Sequence, residues 1–468
     1  MFTGRQRELE NLERYYGEDA FHFAVFYGRR RIGKTTLINK FRENKESIYF
    51  NAIESTAKEN LELLSFQILS TLAPQAPQNP FGTFTAAFEY CFRAAAKKRL
   101  ILIIDEYPYL AESDKAVSSV LQAAIDKYKD KSRLFLILCG SSMSFMENQV
   151  LGYKSPLYGR RSCQFKIMPF SYYESAEMLK SYSNEEKIML YGICGGIPEY
   201  LARINRELSV RQNAEHLFFD PSGRLYEEPS NLLKQELRAP QTYNAIIAAI
   251  AYGASKLNEI ASKAGIETSQ CSNMLATLIG LGIVKKEYPV TLVQGGSPSR
   301  KTIYRLEDFM FRFWYRFVLP NMSRIAMGLG KAVCAEVFGA KEGKIESYTG
   351  PIFEECSAQF LWREMGRGIF RFGTLGRWWG PNPAEKREEE IDILAVDDKK
   401  NVLFGECKWR NTRTGKDTLE ELIRKAELLP HCSKRQYILF SKSEFTGELR
   451  KNAAARKDTV LIGLPDMF

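Results

Sequence analysis

Two groups of residues in this chain have the types and spacing for chemistry on phosphorus. The first is Gly28-Arg29-Arg30-Arg31-Ile32-Gly33-Lys34-Thr35, which fits G-x-x-x-x-G-K-[ST] and runs on into Thr36. Glycines at both ends let successive backbone N–H groups turn towards one anion, and a helix N-terminus behind them adds partial positive charge. In such a loop Lys34 would reach the β- and γ-phosphates of a nucleotide, and the Thr35 hydroxyl would ligate Mg2+. Asp105 and Glu106 close the aliphatic run Leu100-Ile-Leu-Ile-Ile. There Asp105 would hold the same Mg2+, directly or through water, and Glu106 would orient the attacking water as base. Ser141 and Ser142 follow a third apolar run, Leu134 to Cys139, and Gly140. One of the two hydroxyls would sense the γ-phosphate; the other reading is that both cap the next helix. Arg160 and Arg161 either bring positive charge to the transferring phosphate, in cis or in trans, or form a solvated surface pair.

The second group lies near the other end. Glu390-Ile-Asp392-Ile-Leu-Ala-Val and Asn401-Val-Leu-Phe-Gly-Glu406-Cys-Lys408-Trp409 read as two strands joined by a turn at Asp397-Asp-Lys-Lys. Strand alternation puts Glu406 and Lys408 on one face and Cys407 on the other. Asp392 and Glu406 would then share a divalent metal, Mg2+ or Mn2+ by the hardness of carboxylate oxygens. That ion would polarise a phosphodiester and acidify a bound water, and Lys408 would position the water or stabilise the developing charge.

The elements that position these residues follow from local pattern. Phe21 to Tyr27 reads as a buried strand and Thr35 to Phe41 as a helix, so the glycine-rich loop lies in a strand–turn–helix unit. After Ala239-Pro240 come a helix over Tyr243–Ala251 and a short helix over Lys256–Ala264 stopped at Gly265. A third helix covers Ser269–Ile279, with Thr268 as N-cap. A strand from Gly282 to Tyr288, a hairpin tip at Gly295-Gly-Ser-Pro298 and a strand from Thr302 to Leu306 complete a winged helix-turn-helix. On a DNA-binding reading Ser269, Gln270, Ser272 and Asn273 face the major groove, and Lys285, Lys286, Arg300 and Lys301 meet phosphates. The opposing reading docks this module on the protein itself or on a partner. Asp308 to Val318 is densely aromatic and reads first as a buried helix, second as a base-stacking stripe.

Composition sets the frame. A chain of 468 residues exceeds one core, and a hydrophobic share of 45% with 26% charged residues is ordinary for a globular protein. No apolar run approaches a bilayer span, and the charged N-terminus lacks a signal-peptide core, so no membrane partner and a cytoplasmic location are expected. Nine scattered cysteines without a C-x-x-C pair, and three histidines, argue against zinc, disulfides and Ser-His-Asp catalysis. The net charge of +10 is compatible with a polyanionic partner.

Taken in order, FTGRQREL, GRRRIGKT, LILIIDE, LCGSS, LYGRR and GGIPEYL resemble the archaeal-type ATPases of the STAND/AAA-like P-loop superfamily. The resemblance implies an ATP-binding core, Mg2+ dependence, an adenine border at Phe2–Leu9, and a helical lid whose Pro198 sits over the nucleotide. The D…E-x-K pair resembles the PD-(D/E)xK nuclease superfamily, whose members often carry a further glutamate on a preceding helix. Glu354 fits that place best and Glu355 is the alternative. Ile391 stands where the literal proline of the motif would be.

The expected fold is therefore α/β: a P-loop NTPase parallel sheet with a helical lid, a winged helix-turn-helix, and a C-terminal α/β restriction-endonuclease-like domain. The expected boundaries are 1–180, 181–235, 236–320 (with the aromatic helix) and 340–468. The expected function is an ATP-binding and hydrolysing switch acting on nucleic acid, DNA before RNA, with metal-dependent cleavage at Glu354, Asp392, Glu406 and Lys408. The alternative is a non-cleaving regulator of DNA binding or protein assembly, with a protein partner or self-association and an inactive nuclease fold.

Overall fold

Five short runs of aliphatic and aromatic residues, His22–Tyr27 (β1), Ser47–Asn51 (β2), Leu100–Asp105 (β3), Leu134–Gly140 (β4) and Cys163–Lys166 (β5), build the first sheet of the computed structural model. Every residue of β1, β3 and β4 is buried, as strands covered on both faces must be. All pairings are parallel and the order is β2-β3-β4-β1-β5. Because β4 lies between β1 and β3, the chain leaving β4 at Ser141 emerges between the glycine-rich loop and Glu106. The structure describes residues 2–75, 77–292, 302–339, 343–365 and 367–468. It divides into two compact units, Met1–Pro169 and Phe170–Phe468. The first unit thus ends before the sequence-based boundary at 180, and the helices read as a lid cluster with the second unit.

In the second unit, helices Pro240–Ala251, Leu257–Ala264 and Thr268–Gly280 precede a two-stranded antiparallel ribbon, Val284–Glu287 (β6) and Ile303–Leu306 (β7). Gly265 ends the second helix in the left-handed region at φ 68°, as expected. Thr268 does not cap the third. It is the helix's first residue, Glu267 stands at the cap, and no side chain there accepts from the backbone. The expected hairpin tip at Gly295–Pro298, with Arg300 and Lys301, lies outside the described residues.

The aromatic segment forms a helix, Phe309–Phe313, that runs into a π turn at Trp314–Val318. Its rings are buried, and Trp314 Nε1 donates to the Tyr226 carbonyl at 2.6 Å. Tyr191 meets Phe309 edge-on at 5.3 Å, tying this helix to Asn184–Cys194.

Thr374–Asn382 (β8), Arg387–Val396 (β9), Asn401–Lys408 (β10), Lys434–Ser441 (β11) and Thr459–Gly463 (β12) form a mixed sheet in the order β12-β11-β10-β9-β8. The pairs β8/β9 and β9/β10 are antiparallel, while β10/β11 and β11/β12 are parallel. Helices Lys344–Glu364 and Lys416–Ala426 pack on this sheet. Between Gly376 and Trp378 the β8/β9 register slips by one, so Asp392 and Ile393 together oppose Arg377. Ile391 and Leu394, three apart, both enter one apolar cluster, which unbroken alternation forbids. The bulge therefore falls on Asp392 and re-aims it.

Beside it, a Cβ on Gly405 would lie 2.8 Å from Ile393 Cβ and 3.0 Å from Ile438 Cγ2. Gly405→Ala should cost about 1–3 kcal/mol through overpacking. An unchanged urea midpoint for that variant would refute this packing.

Candidate functional site

The glycine-rich loop is shaped by close approach and by left-handed backbone. A Cβ on Gly28 would stand 2.5 Å from the Ile167 carbonyl oxygen, and Gly33, capping helix Lys34–Arg42, has φ 88°. Arg5 braces the loop from outside, donating to the carbonyls of Ile32, at 3.3 Å, and Met168. Lys34 is buried, its Nζ donating to the carbonyls of Gly28 at 2.7 Å and Arg29 at 3.1 Å. Arg30 donates to the Tyr109 hydroxyl at 3.1 Å.

Thr35 Oγ1 donates to Asp105 Oδ2 at 3.0 Å, which brings together the two oxygens that the sequence assigns to Mg2+. Sequence reasoning missed a third partner: the Tyr49 hydroxyl donates to the same Oδ2 at 2.6 Å. Burial, and then that bond, push the Tyr49 phenol up from its ordinary value. Glu106 follows β3 in the left-handed region at φ 48°, unusual for a residue with a side chain. Its Oε2 accepts from Ser141 N at 3.3 Å and Ser141 Oγ at 2.8 Å. Of the two serines, Ser141 is thus the one joined to the carboxylate, while Ser142 stands at the cap of the next short helix without a side-chain cap bond. Arg160 is committed elsewhere in this conformation: its guanidinium grips Asp126 through Nε at 2.8 Å and Nη2 at 2.7 Å, and Arg161 is half-buried.

Pro198 begins the short helix Pro198–Leu201 in the second unit. The glycines before it have a local reason: a Cβ on Gly196 would lie 1.9 Å from the Phe170 carbonyl oxygen.

At the other candidate centre, the D…E-x-K residues meet. Asp392 Oδ2 accepts from Cys407 N at 2.9 Å. Lys408 Nζ donates to Glu406 Oε1 at 2.6 Å, so the two do share a face. The second Glu406 oxygen takes the Lys425 ammonium at 3.3 Å. Lys425 was missed from sequence although a signal existed. Thr418, Leu419, Leu422, Lys425 and Ala426 form the buried stripe of one helix, and a lysine inside such a stripe needs a carboxylate.

Burial, and then the charge of Glu406, push the Asp392 carboxyl well above the usual range. Burial, and then Asp392, do the same to Glu354. Burial would also raise Glu355, but Lys285, joined by Arg312 and Arg305, holds the carboxyl below its ordinary value. Of the two glutamates, Glu354 is the one in the field of Asp392 and Glu406. Burial would lower Lys408, yet Glu406 and Asp392 hold it above its ordinary value. The donor set is hard oxygen, which fits Mg2+ or Mn2+. Among the described residues no three His, Cys, Asp or Glu side chains close around one point as they stand. Two lysine ammoniums occupy the oxygens of Glu406 instead.

The raised carboxyls carry a pH signature. A carboxyl whose folded pKa is raised stabilises the fold below the ordinary carboxylate range, and that stability is lost as the pH climbs through the raised value. Relative to Glu354→Gln, the ion-free parent should lose stability as the pH rises from about 5 towards 8. Mn2+ should restore most at the upper end, where it no longer competes with protons. The comparison removes His22, lowered by burial and so working in the opposite sense. Thermal melts of both proteins with and without MnCl2 check this, and parallel pH curves would refute it.

Lys285, read as a phosphate contact, is instead engaged by Glu355 and by Glu287 at 3.5 Å. Lys286 is exposed, as are Ser269, Gln270, Ser272 and Asn273. Among the described residues no helix is long and apolar enough to cross a membrane.

Comparison with known proteins agrees with the first site. Residues 2–204 match a family model described as an ATPase domain predominantly from Archaea. Residues 314–420 match one described as archaeal and bacterial proteins of unknown function. The chain is 33% identical over 436 residues to the uncharacterised protein MJECL04 of Methanocaldococcus jannaschii, covering 92% of each chain. A 46-residue stretch is 54% identical to the uncharacterised ATP-binding protein MJ0423 of the same organism, covering 10% of this chain and 78% of that one. Among solved structures, the Walker-type ATPase PABY2304 of Pyrococcus abyssi is similar at 20% identity and a TM-score of 0.49, covering 67% of this chain and 96% of that one. The Aeropyrum pernix Orc1 protein in complex with DNA is similar at 15% identity and a TM-score of 0.34, covering 69% and 95%.

Proposed function

Because this chain belongs to the family of MJECL04 and is a P-loop ATPase of archaeal type, we propose that it is an ATP-governed switch acting on nucleic acid. Its C-terminal sheet would be a metal-dependent nuclease of the PD-(D/E)xK kind, and the three helices with the ribbon a winged helix. The observation that carries the reading is the meeting of Asp392, Glu406 and Lys408 at a bulge, with Glu354 in their field.

In the ATPase unit, Lys34 exchanges the carbonyls of Gly28 and Arg29 for the β- and γ-phosphate oxygens. Thr35 and Asp105 would hold Mg2+, which would neutralise charge on the phosphates. Glu106 orients the attacking water, and Ser141, already bonded to it, couples that carboxylate to the state of the γ-phosphate. The Tyr49 hydroxyl fixes the Asp105 carboxylate.

In the C-terminal unit, Asp392 and Glu406, with Glu354 beside them, would hold Mg2+ or Mn2+, which lowers the pKa of a water and polarises the phosphodiester. Lys408 would position that water or stabilise the developing negative charge, and Lys425 pairs with Glu406 and aims it.

The test is cleavage of plasmid, linear and branched DNA with Mg2+ or Mn2+, with and without ATP. Metal-dependent products support the reading. ATP-sensitive binding with no cleavage under either metal would favour a non-cleaving regulator and remove the nuclease.

A further inference from the structure

Between the ribbon, the aromatic helix and the β8/β9 edge lies an open cleft of about 490 Å³. Four arginines line it: Arg305 from β7, Arg312 and Arg316 from the aromatic helix and its π turn, and Arg377 from β8. Its acidic walls are largely answered. Glu390 pairs with Arg377, and Glu389 is held by Arg387 at 3.0 Å and Arg424 at 3.1 Å. Glu388 remains as an exposed carboxylate at the edge. Arg305 is 3.5 Å from Glu287. Arg312 and Arg316 meet no carboxylate within salt-bridge distance among the described residues. Arg312 donates to the Leu306 carbonyl and Arg316 to Ser347 Oγ at 3.2 Å. They stand four residues apart, about 6 Å along a helix axis. Half-buried Trp379 supplies a flat ring in the same cleft.

We propose that this cleft binds a single nucleic-acid strand, with successive phosphates on Arg312 and Arg316 and a base against Trp379. Cations beside an aromatic platform are the chemistry that holds a strand without reading its sequence. The cleft also shares a residue with the carboxylate cluster: Arg377 lines it and lies 3.7 Å from Glu354. The strand would therefore be delivered towards Asp392 and Glu406. The delivery rests on the nuclease reading; the binding does not.

The experiment uses the full chain, a fluorescein-labelled single-stranded oligonucleotide of DNA or RNA, EDTA and no ATP, with anisotropy followed at rising KCl. Arg316→Ala, an exposed position, and Arg312→Gln should each weaken binding by about tenfold and flatten the salt slope by about 0.7 for each phosphate no longer neutralised. Trp379→Ala should weaken binding with the slope unchanged. Thermal melts establish that each variant is folded. A parent that does not bind, or folded Arg316→Ala and Arg312→Gln proteins with the parent's affinity and slope, overturns the proposal. Cleavage with Mn2+ is read separately. Binding that needs the arginines without any cleavage keeps the cleft and removes the nuclease, whereas cleavage and binding both indifferent to the arginines remove the cleft alone.

Discussion

Lys34→Ala should lower the rate of ATP hydrolysis by about 10²- to 10³-fold, the cost of removing one preorganised donor from developing phosphate charge. The geometry explains why the loss is confined to function. Among the described residues the ammonium bonds the carbonyls of Gly28 and Arg29, within its own turn. The turn itself is held by independent means, namely the contact of Gly28 with Ile167, the left-handed Gly33 and the bonds from Arg5. The variant should therefore melt close to the parent without nucleotide, yet gain little when ATP and Mg2+ are added. Phosphate release and thermal melts measure both halves. Hydrolysis at the parental rate would mean that the loop is not the catalytic cradle.

The second large effect is expected at Asp392. Asn can still accept from Cys407 N–H, so Asp392→Asn keeps the bulge and removes only the charge. Metal-dependent cleavage should fall by about 10³-fold or more, because a carboxylate ligand and its share of the cation's field disappear together. Lys408→Ala should do the same for another reason: Glu406 keeps Lys425 as a partner, so the strand stays in place while the charge aimed at the phosphodiester disappears. Two variants that cut as well as the parent would remove the nuclease assignment, whatever the ATPase does.

Much of both centres was legible because it rests on short-range pattern. The loop from Gly28 to Thr35, the carboxylates ending β3 and the alternation of Glu406 and Lys408 each lie within one strand or turn. What could not be read depends on which strands become neighbours. Tyr49 reaches Asp105 because β2 lies beside β3, with Asn51 in register with Asp105. No local pattern in Ser47–Asn51 announces that neighbour. The bulge at Asp392 exists only in the pairing of β9 with β8, a strand that no motif in the sequence marks. The bond of Ser141, rather than Ser142, to Glu106 likewise depends on the order that sets β4 between β1 and β3. Lys425 is the instructive miss, since a charged residue on an otherwise apolar helical stripe was visible in the sequence. Thr268 failed differently. A threonine ahead of an apolar helix has the right chemistry for a cap, but the helix begins one residue earlier than the pattern suggests.

The most direct measurement is Mn2+ binding, by electron paramagnetic resonance, to the nucleotide-free Lys34→Ala protein, where the ATPase loop cannot supply a nucleotide-bound ion. Bound Mn2+ that disappears in Asp392→Asn and in Glu406→Gln is the result expected of a carboxylate cluster built to carry a cation. Failure to bind Mn2+, or binding that neither substitution changes, would contradict it.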